Sequence, residues 1–126
     1  MPNLFTNNAT GTLASAITNV ATSVTLNSGQ GALFPATASG SFYATLYNAG
    51  GTIEIVKCTS RSCDVLTITR AQEGTTASAY NSGDKLDLRV TAAGLSNFAQ
   101  LDAAQNFSGA NTFSAAQTFS STVALS

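Results

Sequence analysis

From Leu101 onward the chain repeats itself every six residues: LDAAQN, FSGANT, FSAAQT, FSSTVA, LS. A large apolar residue falls at Leu101, Phe107, Phe113, Phe119 and Leu125, and almost everything between is small or polar. Six is a multiple of the strand period of two, so in an extended chain all five side chains point the same way. A helix does not accommodate the repeat, because six steps of about 100° leave successive rings far apart around the axis. At about 3.3 Å per residue the rings stand roughly 20 Å apart, too far to cover one another within one strand. The repeat therefore predicts one strand of a fibre built from several identical chains. Three strands can enclose a narrow axis, which favours a trimer.

Charged residues make up 9% of the 126 residues, and all of them lie between Glu54 and Asp102. Ala, Ser, Thr, Asn and Gly dominate the uncharged ends. Low charge with plentiful Thr and alternating apolar residues suits paired β-structure, although low-complexity linkers are the other reading of the same composition. A net charge of −1, with Lys57, Arg61, Arg70, Lys85 and Arg89 scattered among six acids, offers no basic stripe for nucleic acid. No run approaches the roughly 18 apolar residues of a membrane span. The start, MPNLFTNNATG, has neither a basic segment nor an apolar core, so it does not read as a secretory signal. The expectation is a protein made and kept in a cytoplasm until it assembles. The sequence stops at Ser126 inside the repeat, which fits the proximal part of a longer polypeptide or a short fibre.

The body before the repeat reads as short strands with turn signals. Leu13 to Ile17 could pair with Val24 to Leu26, and GQGALFPATASG follows as a Gly- and Pro-marked loop. FYATLYN is a strand, NAGG a turn, TIEIVKC and DVLTITR the next strands, EGTTASAYNSGD a long loop and KLDLRV the last strand. Strands at this spacing predict a mostly β fold, a small β-sandwich or barrel-like N-terminal domain. In TAAGLSNFAQLDAA, the spacing of Leu95, Phe98 and Leu101 permits a short helix with Thr91 as N-cap, weakened by Gly94. Leu95 also fits the six-residue phase. The expected organisation is a β-rich domain over 1–90, a short helical linker over 91–104 and an extended β fibre segment over 105–126. Leu95, Phe98, Leu101, Phe107, Phe113, Phe119 and Leu125 are the expected trimer contacts.

Cys58 and Cys63 flank a hairpin whose two-residue turn would be Ser60 and Arg61. That pairing places the cysteines opposite each other, where a disulfide could form; two free, half-buried thiols are the favoured reading, because the reducing compartment decides. Their spacing is wrong for a zinc knuckle, and the chain has no His to complete a metal site or a Ser-His-Asp or Cys-His arrangement. Carboxylates are few and separated, and phosphate-binding glycine patterns are absent, so neither catalysis nor a cofactor is signalled.

Thr69 to Leu95, TRAQEGTTASAYNSGDKLDLRVTAAGL, resembles a segment near the N-terminus of bacteriophage tail fibres and tailspikes. The shared elements are Thr69, Arg70, Gln72, Glu73, Gly74 and Thr75, then Tyr80, Gly83 and Asp84, then Arg89, Val90, Thr91 and Ala92. GQGALFP, at 29–35, is also similar to that group, and the NTFS and QTFS units are similar to shaft segments that follow such domains. The resemblance spans roughly residues 23 to 95 on motif placement. It implies a virion-attachment domain at the base of a homotrimeric fibre, docked on a phage tail, neck or adaptor protein. Cys58 and Cys63 depart from the familiar pattern.

Within the motif, Gly74 and Gly83 are expected to supply backbone angles that other residues resist. Arg70 and Glu73 are expected to pair across the turn or bind a neighbouring chain, and Tyr80 to pack over the loop. Two other architectures fit less well. A β-solenoid needs about three hexads per coil and several stacked coils. A carbohydrate-binding module would use Phe42, Tyr43, Tyr47 and Tyr80 as a stacking surface, although alternation puts Phe42 and Tyr43 on opposite faces.

Overall fold

A computed structural model describes residues 3–96, together with 108–110, 112, 114–116 and 118. The expectations for Phe98, Leu101, Phe107, Phe113, Phe119 and Leu125 lie outside the described residues. The strands are β1 (Thr10–Thr12), β2 (Ser23–Thr25), β3 (Phe42–Tyr47), β4 (Ile53–Ser62), β5 (Val65–Gln72) and β6 (Lys85–Asp87). A short 3₁₀ turn covers Gln30–Leu33, and one helix, α1, covers Ala92–Ser96.

The six strands form one antiparallel sheet in the order β1-β6-β3-β4-β5-β2, curled into a half-barrel. Of the two architectures expected, the barrel-like one is present. The curl brings the two edge strands together at one end. Leu13 bridges Leu26, the Ala14 amide donates to Thr25 O at 2.9 Å, and the Asn27 amide donates to Thr12 O at 3.0 Å. Each edge strand is only three residues long, which limits the unpaired backbone a sheet edge presents.

Alternation sorts the side chains. Phe42, Ala44 and Leu46 of β3 point inward, as do Val56 and Cys58 of β4 and Leu66 and Ile68 of β5. They close on Leu13, Val24, Leu26, Phe34, Tyr80 and Leu86 in one core. Phe34 stacks on Phe42 with ring centroids 5.7 Å apart. The opposite face carries Tyr43, Thr45 and Tyr47 beside Ile53, Ile55 and Lys57.

Several elements follow the sequence reading, including β3, the NAGG turn and the start of β4. Gly51 takes φ +89°, and the Asn48 side chain accepts the Thr52 amide at 3.0 Å. Three details differ. Ile17 pairs with Tyr80, not with β2. β1, which sequence did not indicate, exists through its pairing with β6. The β4–β5 turn lies at Cys63 and Asp64, not at Ser60 and Arg61. A bulge between Cys58 and Ser60 causes the last difference. One extra residue in β4 shifts the register, so a strict period of two misplaces the turn.

The bulge also settles the cysteines. Cys58 faces Ile68 in the core, while Cys63 sits exposed in the turn with φ +53°. Both are free, so the disulfide alternative does not hold.

Candidate functional site

Among the motif residues, Arg70 meets a partner that lies outside the motif. Glu54 is the one charged residue on the inward face of β4, and it is fully buried. Its partner is Arg70, reached by a second irregularity. Ile55 pairs with Gln72 and Lys57 with Thr69, so β5 carries an extra residue at Arg70–Ala71, and Ala71 takes φ +53°. The kink turns both the Arg70 guanidinium and the Ala71 amide onto one carboxylate.

Every hydrogen-bonding position of this pair is used. Arg70 Nε donates to Glu54 Oε2 at 2.8 Å and Nη2 to Oε1 at 2.7 Å. Nη1 reaches Thr18 O at 2.7 Å and Ala21 O at 3.2 Å, and Nη2 also reaches Ser78 O. Those five bonds exhaust a guanidinium's five donors. Glu54 further accepts the Ala71 amide at 2.9 Å and the Ser78 amide at 3.1 Å. Burial alone would raise the Glu54 pKa, but Arg70 and the two amides outweigh it and hold the carboxyl below its ordinary value. One ion pair thus ties β4, β5, the 18–21 loop and the 76–80 loop together.

Arg70 therefore does not pair with Glu73. Glu73 lies past the bulge at φ +52°, and its Oε1 accepts the Ala93 amide at 3.1 Å. Thr91 Oγ1 accepts the Gly94 amide at 3.1 Å. These two contacts satisfy two of the orphan amides in the first turn of α1. Gly94 assists the cap: a Cβ there would lie 3.0 Å from Thr91 Oγ1. Gly74 and Gly83 take φ +79° and +89°, as their positions in the motif suggested. Tyr80 is buried under the loop, and its hydroxyl finds no hydrogen-bond partner among the described residues. Burial first, and the Glu54 charge second, push its pKa to about 12.

The tip of the β4–β5 hairpin has its own anchor. Asp64 accepts the Gly29 amide at 3.1 Å and the Gly31 amide at 2.8 Å. Gly31 is pressed so tightly on the turn that a Cβ would fall 2.0 Å from Cys63 O. GQGALFP is thus the mate of the hairpin tip. Sequence reading missed this contact, and also Glu54 as the partner of Arg70. The second had a signal, since Glu54 shares its alternation phase with Val56 and Cys58.

Two surfaces remain. The outer face of the sheet presents Tyr43, Tyr47, Ile53 and Ile55, edged by Lys57, Lys85, Asp87 and Arg89. Arg89 lies over the Tyr47 ring at 4.6 Å and pairs with Asp87 at 3.3 Å. The stacking surface considered for a carbohydrate is broken up, because Phe42 and Tyr80 are both in the core. The second surface is a groove of about 350 Å³ lined by Phe5, Thr6, Asn7, Asn8, Leu88 and Val90. On α1, a Cβ at Gly94 would lie 3.9 Å from the Asn3 side-chain amide. Leu95, on α1, is 59% exposed. Being helical, it does not continue the strand phase of the repeat.

Burial pushes the Cys58 thiol up to about 11, so it is not a thiolate at neutral pH. Among the described residues no three His, Cys, Asp or Glu side chains gather to hold a metal, and no helix is long and apolar enough to cross a membrane. No protein-family model matches the chain, and no curated protein matches it significantly in sequence.

Proposed function

We propose that this chain is a non-enzymatic structural protein of a bacteriophage virion, the proximal part of a homotrimeric tail fibre. Residues 1–90 dock on a tail, neck or adaptor component, and residues 105–126 begin the shaft. Its work is mechanical: symmetric assembly holds a distal receptor-binding part at the particle, after assembly in the host cytoplasm. The observation that carries this reading is how the motif residues are spent. Arg70 and Glu54 are saturated by each other and by surrounding backbone inside the domain, and Glu73 and Thr91 fix the first turn of α1. The motif that resembles fibre proteins is thus spent inside the domain: Arg70 holds two loops onto the sheet, and Glu73 and Thr91 hold the first turn of α1. An anchor under load needs that, whereas a ligand site would leave such groups free.

The test is binding of the purified full chain to fibre-deficient particles of the parent virus, measured by co-sedimentation, alongside a glycan array. Saturable binding to particles with no glycan signal is expected. Glycan binding without particle binding would instead support a carbohydrate module.

A further inference from the structure

We infer that the loops 15–21 and 76–80 form one strap over the core, latched by the Glu54–Arg70 pair, and that protonating Glu54 releases both loops together while the sheet stays folded. The inference goes beyond the fibre reading and holds whether or not the chains assemble.

Four observations converge. First, the two loops are joined to each other. The Ile17 amide donates to Tyr80 O at 2.8 Å, and the Tyr80 amide donates to Ile17 O at 3.0 Å. Second, they are pinned at their ends and latched between. On one side the Leu13 amide donates to Asp84 O and the Gly83 amide to Leu13 O. On the other the Ile68 amide donates to Thr22 O, and the Ile55 amide donates to Thr75 Oγ1. Between those points, among the described residues, every hydrogen bond from the loops to the sheet goes to the ion pair. The Thr18, Ala21 and Ser78 carbonyls accept from Arg70, and the Ser78 amide donates to Glu54.

Third, little else holds the loops down. Tyr80 is buried and Ile17 packs against the core, but most of the other residues are exposed, Val20 at 77%. Segments with few buried apolar contacts are the first to open. Tyr80 also buries a hydroxyl that has no partner among the described residues, and opening returns that group to water. Fourth, a single acid controls the latch. Residues 15–21 and 76–80 carry no charged side chain. Leu46 faces Glu54 from β3, Arg70 from β5 and Tyr80 from the loop. Arg70 stays charged at every pH of interest, and Tyr80, with its hydroxyl at about 12, stays neutral. Asp84 acts on Tyr80 from the following turn. The Glu54 carboxyl is held below its ordinary 4.5, so its hold on the loops is complete above that value and is lost as pH falls through the lower folded one. Once Glu54 is protonated, the guanidinium is buried without its counter-ion, and lifting the strap lets water reach it.

The experiment is native-state amide exchange of the purified full chain, read by NMR as protection factors at pH 7 and pH 3 and in low, rising denaturant. At pH 7 the Ile17, Ser78 and Tyr80 amides should share one protection factor, about tenfold or more below that of the β3–β4 amides, with a shallower dependence on denaturant. At pH 3 that factor should fall about tenfold further relative to the sheet. Glu54→Gln should lower loop protection at pH 7 and abolish the acid response, whereas Asp84→Asn should keep the response. Loop amides that open only with the sheet, at the same protection and denaturant dependence, overturn the strap. A separate opening that is unchanged in acid, that still responds to acid in Glu54→Gln, or that stops responding in Asp84→Asn overturns the latch. If Glu54→Gln does not fold, the wild-type comparisons and Asp84→Asn decide between these outcomes.

Discussion

The two ends of the β4–β5 hairpin are held by different physics. At the open end a buried carboxylate, Glu54, is matched donor for donor by Arg70 and two backbone amides. At the tip, half-buried Asp64 accepts two amides from the 29–31 segment, and the fit depends on Gly31 having no side chain. A buried ion pair fixes one end, and a carboxylate on two amides with a close backbone approach fixes the other. A buried charge is costly once its partner is removed, and its worth depends on pH. A steric fit is indifferent to pH and fails when an atom is added.

Removing Arg70 should give the largest effect. Arg70→Met leaves Glu54 buried without its counter-ion, at a cost of about 3–5 kcal/mol in denaturant unfolding at pH 7. The folded-state pKa of Glu54 is lowered, so its contribution is present above the ordinary value of 4.5 and lost as pH falls through the lower folded value. The gap between wild type and Arg70→Met should therefore narrow on acidification. Glu54→Leu combined with Arg70→Met should be more stable at pH 7 than Arg70→Met alone. A gap that stays constant down to pH 3 would remove charge from the explanation.

At the tip, Gly31→Ala forces a Cβ onto the Cys63 backbone and should cost about 1–3 kcal/mol in denaturant unfolding. A Gly31→Ala variant as stable as wild type would remove close approach from the explanation. Thr91→Ala removes the cap on α1 and should cost about 1 kcal/mol, read as earlier amide exchange at Gly94. The smallest energetic effect is expected from the cysteines. Cys63 should react with a thiol reagent in the native protein, whereas Cys58 should react only on unfolding.

Much of the sheet was legible because alternation is a local property. Phe42, Ala44 and Leu46 point inward as their spacing says, and NAGG turns where its residue types permit. Thr91 could be read as a cap from its place before a short apolar spacing. Reading failed wherever one extra residue enters a strand. Nothing local marks the bulge near Cys58–Ser60 or the one at Arg70–Ala71, because the partner strand imposes both. Each moved a conclusion: the first displaced the turn and separated the cysteines, and the second sent Arg70 to Glu54 in place of Glu73. The groove that Phe5 and Val90 line was invisible for a related reason. Phe5 and Val90 come from opposite ends of the domain and meet only when the Leu88 amide bonds Ala9 O.

The central claim is that identical chains join through the row of Phe107, Phe113 and Phe119. The direct test is the solution mass of the full chain, wild type and Phe107→Ser, Phe113→Ser, Phe119→Ser together, by sedimentation equilibrium. The account predicts three times the 12.8 kDa chain for wild type and a marked loss of that species in the triple variant. A wild-type mass of 12.8 kDa at every concentration, or a triple variant that assembles as firmly as wild type, would contradict it.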